Sequence, residues 1–247
     1  MKYGRGIFVT GTDTGVGKTV VTAGLLRLIR NHGISAGAMK PVESGCRLAS
    51  GRKIGKDSRI LLAASESGED PEQVGLYRFK SPLAPLMASR AEGVRIDLNR
   101  IVKAYRELST RHSITFVEGV GGLMVPLTQK ATVADLVRRM RLPLLVVAAN
   151  RLGAINHTLL TVRMAERFRI PVLGIILNQT QPKSGPAVRT NARLLSSVCG
   201  VPVIGEVPYI RDLSSGGKRS GGLRRMLKHL DESIHHIGIE LNSRVLS

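Results

Sequence analysis

Near its start the chain reads GIFVTGTDTGVGKTVVT (residues 6–22), a β-branched apolar run that enters a glycine-rich loop and leaves it on Gly-Lys-Thr. That order is what a phosphate-binding loop requires. Glycine lets the backbone turn through positive φ and come close to an anion's oxygens. The helix that follows aims the free N–H groups of its first turn at the same anion. Gly11, Gly15 and Gly17 supply the glycines, and a helix beginning near Lys18 supplies the N–H groups. The usual pattern places four residues between the first Gly and Gly-Lys-Ser/Thr. Here five intervene, Thr12, Asp13, Thr14, Gly15 and Val16, so the loop is longer by one residue without losing a part. Lys18 would reach the β- and γ-phosphate oxygens of a nucleotide, and the Thr19 hydroxyl would ligate Mg²⁺.

The rest of the chain alternates apolar runs with helical spacing, the signature of a parallel sheet wound with helices. Strands are predicted at 6–10, 35–42, 113–122, 142–150, 172–178 and 202–210, and helices at 17–33, 97–111, 133–140, 156–168 and 223–234. The fold class is therefore α/β, a mostly parallel sheet with helices on both faces, like the P-loop NTPases. Two stretches rich in Gly and Lys/Arg, 44–57 and 212–222, read as mobile loop and linker. Neither forces a division, so residues 1–247 are read as a single ATP-binding domain.

Composition narrows the function classes. Cys46 and Cys199 lack any paired or Cys/His ligand spacing, which points to thiols in a reducing cytosol. The N-terminus leads straight into the first strand, and no apolar run approaches the ~20 residues of a membrane span, so the expected location is the cytoplasm with no membrane contact. The net charge of +19 raises the question of nucleic acid, but the basic residues are dispersed and no aromatics interleave with them. A solvated basic surface is the preferred reading, with nucleic acid set aside.

In open α/β sheets ligands gather at the carboxyl ends of strands. Those ends carry TGTDTGVGKT, MKPVESG, FVEGVGG, AANRLGAIN and LNQTQP, which should converge on one cleft. Mg²⁺ takes one or two carboxylates besides phosphate oxygens. Glu118 ends an apolar strand ahead of glycines, and Asp57 sits where a loop enters a helix, where a simple N-cap is the competing role. Lys40, at a strand end before Pro and a Ser-Gly turn, reads as a cation held beside the γ-phosphate.

Taken together, FVTGTDTGVGKT, KPVESG, VEGVGG, LGAINH and GEVP, in that order over roughly residues 6–210, resemble the dethiobiotin synthetase family of biotin biosynthesis. The resemblance implies a homodimer that uses ATP, Mg²⁺ and CO₂ to close a ureido ring on 7,8-diaminopelargonate. It implies that Lys18 and Thr19 are the loop lysine and magnesium-binding threonine, and that Asp57 and Glu118 are the acidic magnesium ligands. Lys40 would stabilise a carbamate and the transferring phosphoryl group, with Lys18 and Thr14 completing the catalytic set. Ser44 would contact substrate, and Gly153, Ala154, Ile155 and Asn156 would bind its carboxylate across the dimer interface. Asn178, Glu206, Val207 and Pro208 would lie on the adenine side. Gly15 stands where some members have Glu, and the tail after 211 matches nothing in the family. Two other readings are kept. One is a ParA/MinD-like ATPase switch, whose loop carries an early lysine where this chain has Thr12 and Asp13. The other is the ATPase part of a corrinoid amidating enzyme.

Overall fold

The computed structural model describes residues 6–182 and 185–210. Strand β1 (Gly6–Gly11) is buried at all six positions, as a strand covered on both faces must be. Its side chains alternate between two cores. Ile7 and Val9 enter one, whereas Phe8 enters the other. Five further strands join it: β2 (Ala36–Met39), β3 (Ile114–Gly122), β4 (Leu144–Ala149), β5 (Val172–Asn178) and β6 (Val203–Val207). Their spatial order is β6-β5-β4-β1-β3-β2, and every neighbouring pair is parallel.

Helices α1 (Lys18–Asn31) and α2 (Lys56–Ser65) bury Val21, Leu25, Leu26 and Leu61 against Ile7, Val9, Phe116 and Val147 on one face. On the other face α3 (Leu98–Ser109) and α4 (Val133–Met140) pack Ile101, Leu108, Leu136 and Val137 around Phe8 and Val117. Helices α5 (Ala154–Arg167) and α6 (Pro186–Val198) continue that layer over Val146, Ala148 and Ile175. The helix starts follow local chemistry. Asp97 caps α3 by accepting from the N–H groups of Asn99 and Arg100, and Thr132 and Asp135 form a reciprocal capping box at α4.

All six predicted strands are present, although β2 stops at Met39 because Val42–Glu43 turns away to pair with Tyr77–Arg78. Segment 44–57 departs from the mobile loop expected of it. Arg47–Ala49 pairs antiparallel with Arg52–Ile54, and the turn between them holds Ser50 and Gly51 at positive φ. Helix α2 begins at the loop-to-helix junction expected at Asp57, whereas α6 and the shorter Pro85–Ala91 lie in stretches for which no helix is predicted. The stretch 212–222 and the helix predicted at 223–234 lie outside the described residues. Both cysteines are free and buried. His112 has a packing role at the amino edge of the sheet, where its ring bridges Ser35 Oγ at 3.0 Å and Glu69 Oε1 at 2.9 Å. Among the described residues no helix is long and apolar enough to cross a membrane.

Candidate active site

The loop leaving β1 wraps the start of α1. Gly15 and Gly17 adopt φ of +76° and +93°, the left-handed region expected of them. Gly11 corrects the expectation: it lacks positive φ, and what it provides is room. A Cβ there would stand 2.8 Å from Val16 Cγ2 and 2.9 Å from Lys18 Nζ. Gly17 is the N-cap of α1, with no side chain bonded to the first-turn N–H groups and no acidic residue in that turn. An anion is the natural cap for such a helix. Lys18 folds back so that its Nζ donates to the Asp13 carbonyl at 3.0 Å.

The loop after β1, the end of β2 and the middle of β3 then bring distant residues together. Glu118, expected to end its strand, lies inside it because pairing with β1 continues to Gly122. Lys40 follows β2 and is 3% exposed; Glu118, in β3 beside Val9 of β1, is fully buried. Lys40 Nζ donates to Glu118 Oε1 at 2.5 Å and to the Gly119 carbonyl at 3.0 Å, and lies 3.2 Å from Asp57 Oδ2. The Thr19 hydroxyl donates to the same Glu118 Oε1 at 2.8 Å. Asp57 is not the N-cap of α2; Gly55 is, and Asp57 lies in the first turn with its carboxylate partly exposed.

These contacts set the charges. Burial, and then the charge of Lys40, lower Lys18 to about 8, with Glu118, Asp57 and Asp13 pulling the other way. Burial would also lower Lys40, but Glu118 and Asp57 outweigh it and the ammonium is held above the usual lysine range. Burial raises Glu118 above the ordinary carboxylate range, while Lys40 draws it back.

A cleft of about 1170 Å³ collects Thr14, Gly15, Gly17, Lys18, Thr19, Lys40, Ser44, Asp57 and Glu118. A second groove of about 1200 Å³ lies at the amino ends of β4 and β5, lined by Arg106, Arg138, Arg141, Arg167 and Arg169. Size does not separate the two, but chemistry does: only the first joins a helix N-terminus, buried lysines and carboxylates.

Other predicted residues sit on the same sheet edge outside that cleft. Asn178 ends β5 and donates its amide to the Val16 carbonyl at 2.9 Å, so it braces the loop. Glu206 accepts from the Asn150 amide at 3.1 Å, and Val207 is buried at the end of β6. Gly153 opens α5 at φ +90° with no side-chain cap, Ala154 is buried, and Asn156 is exposed. Residues 153–156 do not line the cleft of their own chain. Two contributors escaped the sequence reading. Asn150 ties the β4 end to Glu206 and to Asn191, and Glu43 bonds the first turn of α2. Asn150 was visible only as the last residue of an apolar run, and Glu43 only as the acidic member of KPVESG.

The residues fit Mg²⁺. Glu118 Oε2 is buried without a hydrogen-bond partner, while Oε1 is fully engaged beside the Thr19 hydroxyl. An orphaned carboxylate oxygen next to a phosphate loop is an oxygen-ligand position of the kind this ion takes. Among the described residues no three His, Cys, Asp or Glu side chains gather into a metal cage.

Fold and site define an α/β nucleotide-binding protein of the P-loop class. A family model described as an AAA domain matches residues 5–216. Solved structures agree on the fold: MinD cell division protein of Aquifex aeolicus (TM-score 0.60, 15% identity, 97% of each chain covered) and a ParA family ATPase of Chlorobium tepidum (TM-score 0.57, 14% identity, 97% of this chain and 98% of that one). Curated relatives go further. ATP-dependent dethiobiotin synthetase of Anaeromyxobacter dehalogenans is 43% identical over 89% of this chain and 96% of its own length. Those of Thermodesulfovibrio yellowstonii and Bacillus subtilis are 39% and 36% identical, each over 85% of this chain and 90% of their own. The chain belongs to the dethiobiotin synthetase family.

Proposed function

We propose that the cleft closes a ureido ring by activating a carbamate with the γ-phosphate of ATP. As a member of its family the chain is an ATP-dependent dethiobiotin synthetase, a ligase of biotin biosynthesis. One amine of 7,8-diaminopelargonate captures CO₂ as a carbamate and gives up a proton. A carbamate oxygen attacks the γ-phosphorus, the bond to ADP breaks, and a carbamic–phosphoric anhydride forms. The second amine attacks the carbonyl carbon, loses a proton, and phosphate departs with the C–O bond electrons.

The difficulty is that carbamate and γ-phosphate are both anions. Lys18, Lys40 and the uncapped start of α1 offset that repulsion. The observation that carries the reading is Lys40, a buried cation held at 2.5 Å from Glu118 and 3.2 Å from Asp57 beside the phosphate loop. Thr19, Glu118 and Asp57 would hold Mg²⁺, which when bound neutralises charge on the β- and γ-phosphates. Thr14 and Ser44 face the same cleft and would position phosphate and substrate. Holding both amines within reach of one carbon supplies much of the rate.

The adenine would lie toward Asn178 and residues 206–208. Residues 153–156 would take the substrate carboxylate of a second protomer's site. The location of 153–156 outside their own cleft supports that, as do the exposed Leu152 (88%) and Leu160 (62%) around the start of α5. The single shared sheet supports one domain, and a cytoplasmic place follows from the family's metabolic role. The switch reading has only the shared fold behind it. The relatives named above are dethiobiotin synthetases, which does not favour the corrinoid reading.

The test is ADP release by the purified protein, which should require both diaminopelargonate and bicarbonate. Release without either would refute the reading, and full turnover by Lys40→Gln would remove the role given to Lys40. Light scattering should give a dimer mass.

A further inference from the structure

Glu43 has no part in the assignments above. It is 5% exposed, and its two oxygens accept separate backbone bonds: from the N–H of Asp57 at 2.7 Å and from the N–H of Ser58 at 3.1 Å. Both N–H groups belong to the first turn of α2. A cap for that turn is normally a side chain on the residue just before the helix. Here that residue is Gly55, in extended backbone and with nothing to offer. The acceptor comes instead from fourteen residues earlier in the chain. The exchange is enforced sterically, since a Cβ on Gly55 would stand 2.0 Å from Glu43 Oε2 and 2.5 Å from its carboxyl carbon.

A cap supplied from a distance does something a local cap cannot. Glu43 lies three residues beyond Lys40 and directly before Ser44, on the segment that forms one wall of the cleft. Asp57, on the helix it caps, forms the facing group, with Oδ2 at 3.2 Å from Lys40 Nζ. Between the two the chain leaves on the hairpin Arg47–Ala49/Arg52–Ile54. Without the Glu43 bonds, Asp57 would be set against Lys40 only by that excursion and by the packing of Leu61 and Ala64 farther along α2. A buried carboxylate at a helix N-terminus is also favoured by the helix dipole, so the tie is held electrostatically as well.

We propose that Glu43 is a positioning residue of the phosphoryl-transfer site, a distant cap that fixes Asp57 of α2 against Lys40 and Ser44. This rests on the roles given above to Asp57 and Lys40. A displacement of about 1 Å at such a site is enough to cost on the order of a hundredfold in rate.

Capping and positioning can be separated. Glu43→Ala removes the cap and the carboxylate that would collide with a side chain at Gly55, leaving only the Ser58 hydroxyl, 2.5 Å from that Cβ position, to rotate aside. Glu43→Ala/Gly55→Ser then lets a local serine cap α2, without tying it to the Lys40 segment. The double variant should regain most of the melting temperature lost in the single one, yet keep kcat about tenfold or more below the parent. It should also bind Mn²⁺ more weakly in the presence of a non-hydrolysable ATP analogue, read by electron paramagnetic resonance. Parental kcat and Mn²⁺ affinity in the double variant would reduce Glu43 to a stabilising cap and overturn the proposal. If the single variant fails to fold, Glu43→Gln, which keeps one acceptor oxygen, is measured in the same way, with the same two outcomes. Asp57→Asn is run alongside. Full turnover there would refute the underlying role of Asp57, whereas impaired Asp57→Asn beside an unimpaired double variant would refute only the role of Glu43.

Discussion

Asn178 and Gly17 are fitted to each other: the Asn178 amide reaches past Gly17 to bond the Val16 carbonyl at 2.9 Å, and a Cβ on Gly17 would lie 2.0 Å from its nitrogen. The brace from β5 therefore depends on the absence of a side chain at the N-cap of α1. Gly17→Ala should abolish measurable binding of a fluorescent ATP analogue, because it adds this collision to a left-handed φ that costs an alanine roughly 1–2 kcal/mol. Asn178→Ala should weaken binding moderately. Removing the amide should soften the effect of Gly17→Ala, so the cycle of the two variants is expected to be non-additive.

Lys18 gives a pH signature. Burial and Lys40 hold it at about 8, against 10.5 for the free side chain. Between these values the unfolded chain binds more protons than the folded one, so stability rises with pH across that window. Below about 8 both states carry the proton and the contribution is flat at its lowest. Urea unfolding from pH 7.5 to 10 should therefore show the wild type gaining on Lys18→Met as pH rises. ATP phosphates restore the charge, so ATP binding near pH 8 should take up protons. Calorimetry in two buffers of different ionisation enthalpy would read that uptake, and Lys18→Met should lack it.

Lys40 and Glu118 predict a conditional loss of stability. Lys40→Met strands a fully buried carboxylate, and breaking such a pair costs about 3–5 kcal/mol. Glu118 already titrates above the ordinary range, and losing Lys40 raises it further. The folded variant then binds a proton that the unfolded chain has released, so its deficit should grow from about pH 5 to pH 8. Melting temperatures across that range would show it. Adding Glu118→Gln should restore stability at pH 8 without restoring ADP release.

Asp97 is a control far from the chemistry. Its carboxylate accepts from Asn99 and Arg100 at the start of α3. Asp97→Ala should cost about 1 kcal/mol in denaturant unfolding, with kcat unchanged. A fall in kcat per folded molecule would mean that α3 reaches the site in a way the contacts here do not explain.

The sheet and its helices were legible because the strands are mostly apolar runs and several helices carry clear caps. The helix over 133–140 matches its prediction to the residue, and Asp97 is the cap its position implied. Helix α2 was legible at its start, from Asp57, but not in how it is capped: its N-cap is a glycine and its cap acceptor lies fourteen residues away. Helix α6 likewise begins at Gly185 with no side-chain cap. The hairpin at 47–54 was hidden by composition, since Gly- and Arg-rich sequence looks the same whether it is ordered or not. At the site, Lys18, Thr19 and Lys40 were readable from spacing and a strand end, and Glu118 from an acid ahead of glycines, although it lies inside β3 rather than at its end. The brace by Asn178 and the clamp by Glu43 exist only in three dimensions.

The spatial order of the sheet also bears on how the chain comes to fold. Strand β1, which launches the phosphate loop, is made first yet lies between β3 and β4, which are separated from it by about a hundred residues or more of chain. Nothing emerging early from a ribosome can flank it. The glycine loop must wait until Leu144–Ala149, and then its brace Asn178, have been synthesised, and Lys40 is made long before its buried counter-charge Glu118. Pairing over such separations is slow to nucleate. ATP binding should therefore arise late and all at once during synthesis, as an indicator that the whole sheet has closed.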